Sequence, residues 1–153
     1  MKDSRPGGHF ATVIHIRPAT TDDAEAILGL LNELGYSSST GSVAKRIESL
    51  SVSGCHAACL AVDGGKPVGL LTLNWQPRIY LEHPIARITA LVVHQGARRQ
   101  RVGCMLVEHA LAIAERMGCG EIEVTTGLQR TDAQEFYKAL GFSHSAVRYK
   151  RAL

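Results

Sequence analysis

The sequence predicts one domain of mixed α/β class. Three observations carry that prediction. Short apolar runs, alternating or rich in β-branched residues, are interleaved with longer segments whose apolar residues recur in steps of three and four. Glycines fall where the longer segments stop. The tetrad Asp63-Gly64-Gly65-Lys66 lies between two apolar runs as a hairpin turn. A chain of 153 residues is long enough to bury a real core, and its 45% hydrophobic and 20% charged content is that of an ordinary globule.

Taken in order, Met1–Phe10 lacks the apolar region of a signal peptide and reads as a flexible leader over 1–10, ahead of a single domain over 11–153. Val13–Arg17 is a first strand, ended by Pro18. Asp22 and Glu25 have capping-box spacing before a helix whose apolar face is Ile27, Leu30, Leu31 and Leu34 and whose end is Gly35. Beyond a Ser/Thr-rich loop that starts at Tyr36, a residue read as packing, Val43, Ile47 and Leu50 mark a second helix. His56–Val62 and Pro67–Leu73 are the strands of the hairpin. Asn74–Pro84 carries two prolines and reads as an irregular polar-aromatic loop suited to recognition.

The segment Leu91–Met117 organises what surrounds it. An apolar, β-branched run ends in a loop with Arg98, Arg99 and Arg101. Val102, Met105, Leu106, Ala110, Ile113 and Met117 then line one face of a long helix closed by Gly118. A strand turning through a tight loop into a helix presents unpaired first-turn amides and the positive end of the macrodipole, which suits a phosphate or pyrophosphate. Gly103, lacking a Cβ, allows close backbone approach. Glu121–Thr126 alternates as a further strand, expected to run parallel to Arg87–Val93 across the helical crossover. Thr131 and Gln134 have capping-box spacing at the start of a last helix that runs to Leu140 and Gly141, and Phe142–Leu153 is a final extended segment.

Several function classes are disfavoured. A net charge of +3, with one arginine loop and no interleaved aromatics, argues against nucleic acid. No apolar run is long enough to span a membrane. Cys55, Cys59, Cys104 and Cys119 lack zinc-site spacing, so no metal is expected, and reduced thiols in the cytoplasm are the working assumption. The G-x-G-x-x-G fingerprint of a dinucleotide fold is absent after the strand.

Two motifs go further. Arg98-Arg99-Gln100-Arg101-Val102-Gly103 resembles the R/Q-x-x-G-x-G/A signature of the GNAT superfamily of acyl-CoA-dependent N-acyltransferases, with Arg101 in the place of the first glycine. Arg130–Phe142 resembles that superfamily's N-x-x-A-x-x-F/L-Y-x-x-x-G-F, matching at Ala133, Phe136, Tyr137, Gly141 and Phe142, with Arg130 in the asparagine position. The resemblance implies a three-layer fold: a central mixed, mostly antiparallel sheet of six to seven strands flanked by about four helices.

It also implies acetyl-CoA as co-substrate. Its pyrophosphate would lie on Arg98, Arg99, Gln100, Arg101, Val102, Gly103 and Cys104. Its pantetheine arm would lie along the main chain of Leu91, Val92 and Val93, and touch Arg130. Tyr137 matches the general acid that protonates the departing thiolate. The acceptor would be a primary amine on a small molecule or a protein, and homodimers are common in the superfamily. No acidic cluster exists for a strongly cationic acceptor. The general base has no clear counterpart: Thr89 and Ala90 stand where an acid is expected, and Glu82, His83 and Glu123 are the remaining choices. The competing reading from another class is a non-catalytic acyl-CoA-binding sensor or structural module.

Overall fold

The computed structural model describes residues 13–153, so the leader expected over 1–10 lies outside the described residues. Five strands form one sheet: β1 (His15–Pro18), β2 (His56–Asp63), β3 (Lys66–Gln76), β4 (Ile85–Val93) and β5 (Glu121–Val124), adjacent in that order. The first three pairings are antiparallel, and β4 with β5 is parallel, as the crossover required. The β2–β3 turn is the expected one. Gly64 and Gly65 both have positive φ, 54° and 84°, the two-residue geometry whose twist matches the flanking strands.

Four helices cover the two faces: α1 (Ala24–Glu33), α2 (Thr40–Val52), α3 (Val102–Arg116) and α4 (Thr131–Ala139). Alternation along the strands divides the core accordingly. Leu60, Val62, Leu70 and Val92 pack under α1 and α2, against Ile27, Leu30, Val43 and Ile47. Cys59, Ala61, Leu71, Leu73, Ala86 and Ile88 point to the other face, against Val102, Leu106, Ala110 and Ile113 of α3. The buried stripe of α3 is shifted slightly from the expected one. Val107 and Ala114 join it, while Met117 at its end is exposed.

The sheet has five strands rather than six to seven. Residues 142–153 pair with no strand: Phe142 packs against the core, but everything after it is exposed, including Val147 and Tyr149. That segment has no apolar face met by another layer, and an alternating strand without one gains too little burial to be held.

Two expected capping boxes also differ. At the first helix the box forms between Thr20 and Asp23, whose Oδ2 accepts from the Thr20 amide at 2.8 Å. Asp23 is drawn there by Arg17, which donates to both carboxylate oxygens at 2.8 Å. The guanidinium holds that carboxyl down at about 2. At α4 the residue preceding the helix is Arg130, with no side-chain cap, and Gln134 reaches back to the carbonyls of Gly127 and Leu128 at 3.1 and 3.3 Å.

Candidate active site

The site begins where two parallel strands part. β4 and β5 are in register from Ile85 with Glu121 to Ile88 with Val124, and there β5 ends while β4 continues to Val93. At the same point β4 carries a bulge: Leu73 of β3 faces Ile88 and Thr72 faces Ala90, leaving Thr89 as the extra residue. Its hydroxyl is 2.6 Å from that of Thr72. From Thr89 to Val93, the edge of β4 turned away from β3 has no strand partner among the described residues. Val92 is buried beneath α1 and α2, so it offers only main chain there.

The strand leads into a strained loop. Arg99 and Arg101 both adopt the left-handed conformation with φ 63°, a state that costs an ordinary side chain roughly 1–2 kcal/mol. This is the physical reason a glycine suits the Arg101 position. Arg101 precedes α3 without giving it a side-chain cap, and the Met105 amide is the first to reach back, to the Arg101 carbonyl at 3.0 Å. The amides of Val102, Gly103 and Cys104 therefore have no acceptor within the helix. The Val102 side chain is buried, and those of Arg99, Gln100 and Arg101 are exposed.

Arg98 has structural work to do. Its Nε donates to the Val93 carbonyl at 3.1 Å and its Nη2 lies 3.5 Å from Glu33 Oε2. Glu33, at the end of α1, also accepts from the Gln95 amide at 3.1 Å and faces His94 Nδ1 at 2.5 Å. One carboxylate thus ties α1 to the start of the arginine loop. Gly103 is constrained from within the protein. A Cβ there would stand 3.1 and 3.3 Å from the Phe136 ring, so this glycine admits Phe136 of α4 against α3.

Tyr137 follows. It is buried, and the second motif explains how it is held. Gly141 has φ 88°, its amide donates to Lys138 and the Phe142 amide donates to the Tyr137 carbonyl, closing α4 in a Schellman motif. That closure brings Phe142 edge-on to Tyr137 at 5.4 Å, while Phe136 lies edge-on at 5.1 Å. The spacing of tyrosine, glycine and phenylalanine is therefore a clamp on the phenol ring. The Tyr137 hydroxyl makes no hydrogen bond among the described residues, yet it is not sealed from solvent. Burial pushes the phenol up to about 12, and the positive charge of Arg130 pulls the other way. Arg130 itself is exposed, with Nε 3.5 Å from Asp132 Oδ1.

Beyond the bulge, on the same face of β3 as Thr72, lies a polar recess of about 120 Å³. Asn74, Gln76, Arg78, Ile85, Arg87 and Glu123 line it. Glu123 Oε1 accepts from Arg87 Nε at 2.7 Å and forms ion pairs with Arg87 Nη2 at 2.6 Å and Arg78 Nη2 at 3.6 Å. Of the three residues considered as a base, Glu123 alone lines this recess. Glu82 is exposed in the loop between β3 and β4, and His83 packs over Gly120. A larger groove of about 320 Å³ opens at the β2 edge, between α2 and the C-terminal half of α3. It sits away from the arginine loop, which opens the other end of that helix. Tyr36, expected to pack, is 65% exposed. All four cysteines are free thiols. Among the described residues no group of His, Cys, Asp or Glu side chains is placed to hold a metal ion, and no helix is long and apolar enough to cross a membrane.

Comparison with known proteins bears on this arrangement. The model of the acetyltransferase (GNAT) family matches residues 25–142. Aminoalkylphosphonate N-acetyltransferase of Salmonella typhimurium is 31% identical over 146 residues, covering 92% of each chain. A transcriptional regulator from Bacillus halodurans superposes with a TM-score of 0.84 at 27% identity, over 92% of this chain and 100% of that one. An aminoglycoside N-acetyltransferase solved in complex with CoA shares the fold, with a TM-score of 0.83 at 19% identity, over 95% and 98% of the two chains.

Proposed function

The chain belongs to the GNAT family of acetyltransferases and is an acyl-CoA-dependent N-acyltransferase; from that premise we propose that it moves an acetyl group from acetyl-CoA to a primary amine by direct attack in a ternary complex. The observation that carries this reading is the parting of β4 from β5 beside an uncapped, strained helix start. The bare amides of Val102, Gly103 and Cys104, with Arg99 and Arg101, fit a pyrophosphate. The unpartnered edge of Leu91–Val93 fits an amide-bearing arm, which hydrogen bonds as a strand would. Arg98 contributes by fixing the loop through Val93 and Glu33.

Acetyl-CoA supplies the acetyl group as a thioester, and the chain supplies position and a proton. A phenol pushed up to about 12 holds its proton at Oη throughout the neutral range. Tyr137 is thus loaded to donate to the departing sulfur, and the charge of Arg130 eases the phenolate left behind. We assign residues 11–153 to this single catalytic domain, acting in the cytoplasm, where four free thiols are at home. Its acceptor is a small amine, as for the relative that acts on aminoalkylphosphonates.

The test is calorimetric titration with acetyl-CoA, followed by thiol release in the presence of amines. Tyr137→Phe is expected to lower kcat by about 100-fold while acetyl-CoA affinity is kept. An unchanged kcat removes Tyr137 from the chemistry. Failure to bind acetyl-CoA or CoA sinks the transferase reading, and binding without release for any amine leaves a non-catalytic acyl-CoA-binding module.

A further inference from the structure

We infer that the acceptor carries an anionic group a few bonds from its amine, and that Arg78 and Arg87 recognise it; this rests on the transferase reading and adds the substrate class. The recess below the β4 bulge holds two guanidinium groups and one carboxylate. Both cations turn to the same oxygen of Glu123: Arg87 at 2.6 Å and Arg78 at 3.6 Å. The recess therefore keeps a net positive charge after its internal pairing is counted. Arg87 Nη1 has no partner among the described residues, and Arg78 Nη1 has only a long contact with Tyr80 Oη at 3.3 Å. The side-chain amides of Asn74 and Gln76, which line the same recess, make no hydrogen bond among the described residues. Unpaired N–H donors therefore outnumber the unpaired acceptors, which are the Asn74 and Gln76 carbonyls and the second Glu123 oxygen, in a cleft where both arginines are about two-thirds covered (side-chain exposure 35% and 36%). A tetrahedral or planar oxyanion satisfies such a set, through the forked geometry that guanidinium groups present.

The placement matches the chemistry. Arg87 lies two residues before Thr89 on β4, and Asn74 two residues beyond Thr72 on β3. At a strand rise of about 3.3 Å per residue, the anion site is roughly 7 Å from the point where β4 leaves β5. Flexible arginine side chains shorten that span to the length of a small molecule in which two or three bonds separate amine from anion. Glu123 completes the complementarity: its carboxylate lines the same recess, its second oxygen has no partner among the described residues, and its charge attracts an ammonium. A polyamine would instead meet the surplus positive charge.

Phosphonate, phosphate ester and carboxylate share the chemistry that this site reads, and the acceptor panel separates them. With acetyl-CoA present, 2-aminoethylphosphonate, phosphoethanolamine, β-alanine, ethanolamine and putrescine are compared by thiol release. At least one of the three anionic amines is expected to exceed ethanolamine in kcat/KM by about tenfold or more, which is the scale of one charge-assisted contact. Whichever leads names the anion. Arg78→Gln and Arg87→Gln are each expected to raise KM for that amine about tenfold, with KM for acetyl-CoA kept. Equal rates on charged and neutral amines, or an unchanged KM in both variants, overturn the inference and leave the transferase reading standing. If no amine is turned over, NMR titration of the CoA-bound protein with methylphosphonate and with acetate decides. Shifts at Arg87 that are lost in Arg78→Gln, and shifts at Arg78 that are lost in Arg87→Gln, support the site, and no binding of either anion overturns it.

Discussion

The starts of α2 and α3 are built in opposite ways. α2 is introduced by Ser39, in extended conformation, whose hydroxyl accepts from the Ser42 amide at 3.2 Å. α3 is introduced by Arg101, left-handed at φ 63°, with no side-chain cap at all. Both stretches are polar and exposed, so burial does not explain the contrast. At α2 the chain itself satisfies one of the orphan amides, that of Ser42, which is what stability alone selects. At α3 the amides are left free and the backbone ahead of them is strained twice over. Uncompensated local cost of this kind marks a place where something other than folding sets the sequence.

The contrast can be broken or sharpened, and the largest effect is expected at Gly103. Gly103→Val drives a side chain into the Phe136 ring, overpacking by about 1–3 kcal/mol. Because Phe136 adjoins Tyr137, a shift of about 1 Å there lowers kcat/KM by about 100-fold. Urea unfolding and steady-state kinetics together check this, and near-normal turnover would refute the tight docking of α4. Next is the other well-made helix start, at Thr20 and Asp23. Asp23 titrates at about 2 instead of 3.8, because Arg17 favours its ionised form. A lowered folded-state value gives stability that is complete above 3.8 and drains away as the pH falls towards about 2. Thermal unfolding followed through that window should show this loss, and Asp23→Asn should flatten it. Ser39→Ala should remove about 1 kcal/mol of stability and leave acetyl-CoA affinity untouched, since its cap serves only α2. The smallest effect belongs to Arg101→Gly. Relief of the left-handed strain outweighs the added chain entropy by about 0.5 kcal/mol, so Tm rises slightly while acetyl-CoA binding loses part of its salt dependence.

What could be read in the sequence was what is local. The Gly64-Gly65 turn and the ends of three helices at Gly35, Gly118 and Gly141 are each set within one or two turns of chain. A short stretch fixes its own hydrogen bonds there, and sequence shows them. The missed features join distant segments. Glu33 meets His94 across 61 residues and Gln95 across 62, and nothing in α1 marks that glutamate from its neighbours. Arg87 meets Glu123 across 36 residues, through a parallel register that only the sheet defines. Gly103 also clears the ring of Phe136, which comes from α4, more than 30 residues on, and no local spacing shows that contact. The sheet has five strands instead of the six to seven that the resemblance implied, because the extended residues 142–153 have no layer to lie on.

β4 has one further consequence. Its first half is hydrogen bonded on both sides and its second half on one side only. Within a single strand, amide hydrogen exchange should therefore step from slow to fast just past Ile88, at every second residue as far as Val93. A molecule lying along the open side would act as a temporary sixth strand and erase that step. The strand would then report its own occupancy through the solvent protons it refuses to trade, with no chromophore, label or turnover required.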